Sequence, residues 1–375
     1  MDFYPGTLNA TPDKRISFIK RRQMKLLHLI ICLMIIGKIS PPLAIAEDSR
    51  RYRVGVLVPL SGSLAPMGEA FRRGIELSQK DGAADHVQFM FEDHKYDGKT
   101  ALTALHKLRG LDGIDLAVVW GNTPSGSCAP VAEQQEIPML AVSMNPDAKG
   151  RRYVTTFGPP IESLIDRVAK QFEDWNLKEP GAVSVDLGNA LIGIEMLRKQ
   201  LDGKLLVKTI ASDESDFKTL IAGLKSKGVD GLLLFATPEQ ALTFLRQSKS
   251  LHFFPKIIGG DVFAELSFHR EALQLTQNLA FVYGAVDARF IKRLADIDGS
   301  PAYFFEVASG YALASMAEHL AMNVQKGSSK ADPLSFLATV DLSKLPLPQM
   351  RFLEDSDYGR HFEVEGKVYP VPLEY

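Results

Sequence analysis

From Arg53 onward, short continuous apolar runs alternate with stretches in which apolar residues recur every three or four positions. The runs "RVGVLV" (53–58), "VQFMFED" (87–93), "DLAVVW" (115–120) and "IPMLAV" (137–142) predict strands, with helices over 68–82, 98–110 and 128–136 between them. In the first helix Phe71, Gly74, Ile75 and Ser78 make one face of apolar and small residues; in the second, Leu102, Leu105 and Leu108 turn inward. After Phe157 the rhythm starts again: helix 161–175, strand 181–186, helix 189–201, strand 204–210, helix 215–227, strand 230–236, helix 238–249 and strand 255–260. A long helix over 302–324 follows, and the tail 360–373 reads as two short strands around a Glu365-Gly366 turn. Strands that are apolar throughout, rather than alternating, belong in parallel sheets covered on both faces. Two such runs of about 105 residues each predict an α/β chain of two similar lobes, not one oversized sheet.

The first 46 residues break this rhythm. A basic run, Lys20-Arg21-Arg22, precedes Met24-Lys25, an apolar stretch from Leu26 to Gly37, and a small-x-small pattern at Ala44-Ile45-Ala46. That is the layout of a secretory signal peptide, so export with cleavage near Ala46 is expected, into the periplasm or otherwise out of the cell. The apolar stretch is about twelve residues, too short for a hydrocarbon layer of roughly 30 Å. Cys32 raises a lipid-anchor reading, but Ile31 before it is bulky where lipoprotein signals carry a small residue. Residues 1–23 read as an extension ahead of the signal.

Composition narrows the partners. The 375 residues are 46% hydrophobic and 23% charged, ordinary for a globular chain. Removing residues 1–46 takes away seven basic and two acidic residues and moves the net charge from −2 to −7. No basic stripe remains, so nucleic acid is not an expected partner. Cys128 is then the one cysteine, which excludes an internal disulfide. The seven histidines after the signal (86, 94, 106, 252, 269, 319, 361) show no ligand spacing, so no metal or other cofactor is expected, and His94 reads as a solvated turn residue.

In open parallel sheets ligands bind beyond the carboxyl ends of the strands, which directs attention to 59–68, 121–127, 143–146, 186–193, 235–239 and 259–264. The loop "GNTPSGS" lacks the Gly-x-Ser-x-Gly elbow and an assignable histidine partner, so Ser125 is a weak nucleophile candidate. "GSLAPMG" has neither the Lys-Ser/Thr of a P-loop nor dinucleotide glycine spacing. A ligand shelf is the better positive reading: Ser125 or Ser127 caps the next helix, Pro130 suits its first turn, and free N–H groups there favour a carboxylate. Asp261 in "GGDVF" is placed to meet an ammonium from the other side. Plain helix capping by Ser125 and a plain helix start at Asp261 account for the same residues, and periodicity does not separate the two readings.

Longer stretches carry a resemblance. "VGVLVPLSGSLAPMGEAFRRGIELS", "EDHKYDGKTALTALHKL", "VVWGNTPSGSCAPVAEQQEIPMLAVS", "SDFKTLIAGLKSKGVDGLLLFATPEQALTFLRQSKSLHF" with "IIGGD", and "SPAYFFEVASGYALASMAEHL" resemble, in order and spacing, type I periplasmic solute-binding proteins of ABC transporters. The branched-chain amino acid (leucine/isoleucine/valine) group is the most similar, over 52–375. The resemblance implies two Rossmann-like lobes with parallel central sheets joined by hinge strands: 52–158 plus 284–340, and 159–283 plus 341–375, with hinges near Phe157-Gly158 and Tyr283-Gly284. It implies that Ser125, Ser143, Met144 and Asn145 hold a ligand carboxylate and that Asp261 takes an α-ammonium. Aromatics common in the family are replaced: Met67 stands before Gly68, Ala190 where a tyrosine is expected after Asp186, and Ala236 or Thr237 near Pro238. A wider or differently shaped pocket is the expected consequence.

The implied function is capture of a small polar ligand, an amino acid or related compound, in an interlobe cleft, by a monomer without cofactor that delivers to a membrane ABC permease. No bond is made or broken. A ligand-sensing module acting on a protein partner, similar to amide sensors or activators of cell-wall synthases, is the alternative on the same fold.

Overall fold

The computed structural model describes residues 51–143, 151–185, 188–211, 213–299, 302–325, 334–355 and 359–372. The expected signal peptide, Cys32, the cleavage point near Ala46, Asp186 and the stretch 326–333 lie outside them. Among the described residues no helix is long and apolar enough to cross a membrane.

The first α/β run forms β1 (Tyr52–Val58), α1 (Ala65–Lys80), β2 (Val87–Asp93), α2 (Gly98–Lys107), β3 (Leu116–Trp120), α3 (Asn122–Gln134), β4 (Met139–Val142) and β5 (Val154–Gly158). The second forms α4 (Ile161–Asp174), β6 (Pro180–Val185), α5 (Gly188–Gln200), β7 (Leu206–Ile210), α6 (Lys218–Ser226), β8 (Gly231–Phe235), α7 (Pro238–Ser250), β9 (Lys256–Gly259), α8 (Leu266–Ala272) and β10 (Leu279–Gly284). Then come α9 (Ala288–Asp298), the long α10 (Phe304–Gln325) and three tail strands, β11 (Arg351–Asp355), β12 (Gly359–Glu363) and β13 (Gly366–Pro370). Two sheets result, ordered β11-β12-β5-β4-β3-β1-β2 and β13-β10-β9-β8-β6-β7. All neighbours are parallel except β11 with β12 and β10 with β13. This is the α/β architecture that the uninterrupted apolar strands predict. Successive side chains enter cores on opposite faces: Val54, Val56 and Val58 join one cluster, Leu57 another, and Leu232 and Leu234 part from Leu233 in the same way.

The predicted small-residue face of α1 has a specific use. A Cβ at Gly74 would strike the Val307 carbonyl, and one at Gly310 would strike the Phe71 carbonyl. The two glycines therefore let α1 and α10 approach backbone to backbone.

The tail corrects the expected boundaries. The resemblance implies that 341–375 belongs to the second lobe, and the pattern predicts two strands folded about Glu365-Gly366. Instead β11 and β12 extend the first sheet, β12 lying parallel to β5, and β13 alone pairs with β10 in the second. The reason is edge completion: β5 and β10 each present an open hydrogen-bonding edge, and one extended tail serves both. Glu365 lies in a third crossing between sheets rather than in a hairpin. Val364 donates its N–H to the Gly158 carbonyl at 3.1 Å, and Ala285 donates to the Glu365 carbonyl at 2.7 Å. The crossings at Gly158 and Gly284 thus run bonded to a third at 364–365.

Candidate functional site

The candidate residues stand beyond the carboxyl ends of parallel strands in both sheets. In the first sheet that edge is built around Tyr96. Asp93 ends β2, and Lys95 and Tyr96 follow with φ of 52° and 59°, a left-handed pair that side chains rarely adopt. His94 between them is fully buried, not the solvated turn residue expected. Its Nδ1 accepts the Tyr96 N–H at 3.0 Å, so its Nε2 carries the hydrogen and donates to the Trp120 carbonyl at 2.9 Å. Burial holds this imidazole below its ordinary titration range.

The turn aims the Tyr96 ring at the start of α3. Gly121 has φ 96°, and a Cβ there would collide with the ring. Trp120 meets Tyr96 edge-on, with ring centroids 5.9 Å apart. Burial first, then the charge of Asp261, push this phenol up, against hydrogen bonding from Asn122 and Thr123.

These contacts change the reading of "GNTPSGS". The helix begins at Asn122, directly after Gly121, rather than near 128. Small polar residues mimic a loop in sequence, but here they are the first two turns of α3. Ser125 does not cap it. It is fully buried, its N–H donates within the helix to Gly121, and its hydroxyl donates to the Val119 carbonyl at 3.0 Å. Ser127 donates back to the Thr123 carbonyl, and Pro130 lies inside the helix; Pro124 holds the first-turn place expected of it. Cys128 is buried too, and burial pushes its thiol up to about 12.

The other predicted residues scatter. Ser143 is near the helix start, donating its hydroxyl to Asn122 Oδ1 at 2.6 Å. Met144 and Asn145 lie outside the described residues. Met67 faces the core, 3% exposed. Ala190 is half-buried in the first turn of α5. Thr237 caps α7 in a reciprocal pair, accepting from the Gln240 N–H while Gln240 Oε1 accepts from its own.

Asp261 opens the turn after β9. Its carboxylate accepts the Val262 N–H at 2.9 Å. Solvent reaches it, yet the surrounding protein displaces enough water to push its carboxyl up. Around it sequence reasoning missed two residues from the start of α10. Tyr303 approaches Glu265 Oε2 with its hydroxyl at 3.4 Å; burial, then Glu265, Asp261 and Glu239, raise its phenol. Glu306 is 4% exposed and its Oε2 has no hydrogen-bond partner. Burial first, then the charge of Asp261, push it well up. A lone acid at the head of an apolar helix was the available signal, but it also reads as ordinary pairing with the helix dipole. For Tyr96 the one signal in the sequence is its place in the loop after β2, which also ends a parallel strand.

A separate depression of about 460 Å³ lies along α1, lined by Glu69, Arg72, Arg73 and Glu76, and shares only Tyr303 with this region. Among the described residues no cluster of three metal-ligating side chains exists.

Two mostly parallel α/β sheets joined by tied crossings match the two-lobed type I periplasmic binding protein fold. The chain belongs to the periplasmic binding protein family, whose profile matches residues 51–332. It is 24% identical over 233 residues to Leu/Ile/Val-binding protein homolog 8 of Brucella abortus, covering 56% of this chain and 57% of that one. The matched stretch thus spans little more than half of that relative. The leucine binding protein LivK of Thermotoga maritima superposes with a TM-score of 0.70 at 17% identity, over 85% of this chain and 95% of that one. LivJ of Streptococcus pneumoniae, in complex with isoleucine, gives 0.66 at 18%, over 85% and 95%. A solute binding protein of R. palustris, in complex with benzoate, gives 0.64 at 17%, over 85% and 93%. At these identities the structures share a fold with this chain.

Proposed function

We propose that this protein is exported, by cleavage near Ala46, and captures a small polar ligand, an amino acid or a related compound, between its lobes for uptake by an ABC permease. The lobes are 52–158 plus 284–340 with β11 and β12, and 159–283 with β13. One observation carries the reading: two mostly parallel α/β sheets are joined by three tied crossings, on a chain of the periplasmic binding protein family. Asp261 follows β9 of the second sheet and Tyr96 follows β2 of the first, both beyond strand carboxyl ends, where an interlobe ligand is expected.

In this reading Asp261 takes the ligand's ammonium. The start of α3, with Asn122 and Ser143, is the polar floor opposite, and Ser125 acts by pinning strand to helix. Ligand held on one wall gains the second wall's contacts on closure, with the three crossings absorbing the backbone rotation. The protein performs no chemistry: the Ser125 hydroxyl is committed to Val119, both His94 nitrogens are engaged, and the Cys128 thiol is buried.

Mass spectrometry of small molecules released by denaturing the purified protein tests this. The expected result is one dominant compound that, added back, raises the melting temperature by linkage and alters Trp120 fluorescence. No released compound, and no stabilisation by any of a broad panel of amino acids and amines, overturns it.

A further inference from the structure

The cleft's two walls differ in what they leave for a ligand. On the first sheet the place suited to an anion is covered: the start of α3, where free N–H groups gather, has the Tyr96 ring packed against Gly121. Away from that helix start, negative groups gather around the head of α10, which packs on α1 of the same lobe, and around the turn after β9. Glu306 Oε2 is buried without a partner, and the charge that acts on it, Asp261, has the same sign. Tyr303 beside them also feels Glu265 and Glu239. Ser309, one helical turn after Glu306, and Tyr283, whose ring lies 5.4 Å from Phe304 and 5.1 Å from Phe305, have buried hydroxyls without partners as well. Arg73, from α1, lines the neighbouring depression with Tyr303 and has contacts of its own.

We propose that Asp261, Tyr303 and Glu306 form a cation subsite, and that the ligand is an organic cation, an amine or guanidinium, without a carboxylate. Without a counter-charge, burial favours the neutral form of Glu306; a ligand cation would supply both the charge that lets it ionise and several N–H donors for its unpartnered Oε2. A ligand carboxylate would have to displace the Tyr96 ring from α3 and would face four acidic side chains. The proposal rests on the cleft being the solute site.

Titration calorimetry of the purified protein with agmatine, putrescine, L-arginine, L-leucine and L-glutamate tests it. Agmatine is expected to bind at least tenfold more tightly than arginine, from which it differs by the carboxylate, with leucine and glutamate weaker still. Glu306→Gln, nearly isosteric, should weaken agmatine at least tenfold. Tyr96→Gly, which suits the left-handed backbone and uncovers α3, should narrow the agmatine–arginine gap. Leucine or glutamate binding more tightly than agmatine, or an unchanged agmatine affinity in Glu306→Gln, overturns the cation subsite and leaves solute capture standing. No binding of agmatine or putrescine also overturns it, and silence from a broad amino acid and amine panel overturns solute capture too.

Discussion

The surroundings of Tyr96 and of Glu306, both beside the proposed cleft, have their polar groups in opposite states. Around Tyr96 nearly every group is matched: His94 bridges the Tyr96 N–H and the Trp120 carbonyl, Ser125 serves Val119, and Ser143 serves Asn122. At the head of α10 a carboxylate and two hydroxyls are buried unmatched. A matched wall gives rigidity and shape. An unmatched wall costs folding stability unless a ligand supplies partners, so the proposed reading puts specificity there.

The largest expected effect tests the ligand side of that contrast. Asp261→Ala should weaken binding of a cationic ligand about 100-fold, roughly 2.7 kcal/mol; calorimetry that finds binding untouched breaks the assignment. Glu306→Gln should come next, with opposite signs in two assays: weaker binding but a more stable free protein. Its carboxyl titrates above the free value near 4.3, so its favourable, neutral form is complete below that pH and is lost as the pH rises towards the folded value. Urea melts between pH 4 and 8 should show wild type losing stability relative to the glutamine variant as pH rises.

On the matched wall the effects are smaller and fall on folding. Ser125→Ala should cost about 1–2 kcal/mol of stability by orphaning the Val119 carbonyl, with ligand affinity unchanged; a binding defect at full stability would return Ser125 to the ligand. His94, held below its ordinary range, stays neutral in the fold, while the unfolded chain takes up a proton near pH 6.5. Its contribution is complete above that pH and declines as pH falls below it. Replacing His94 by Gln should flatten that acid limb by a fraction of the wild-type slope.

The same contrast explains what was legible in the sequence. Two α/β runs follow from strands such as "DGLLLFA", whose apolar continuity requires cover on both faces, and Asp261 follows from its place at a strand end. The fate of the tail did not, because strands 359–363 and 366–370 read as a hairpin whether they pair with each other or with β5 and β10. Ser125 was conspicuous as a serine in a run of small residues, but its role depends on the helix beginning at Asn122, which small polar residues disguise. Tyr96 and Glu306 stayed hidden for a shared reason. Their importance comes from partners over 20 residues away in the chain, and periodicity reads only near neighbours.

Thermal melting of wild type and Glu306→Gln, each with and without saturating agmatine, tests the central claim most directly. The variant should melt above wild type when free and below it when agmatine is present, so that the order of the two curves reverses. A variant that melts below wild type without ligand, or gains as much from agmatine as wild type does, would contradict the account.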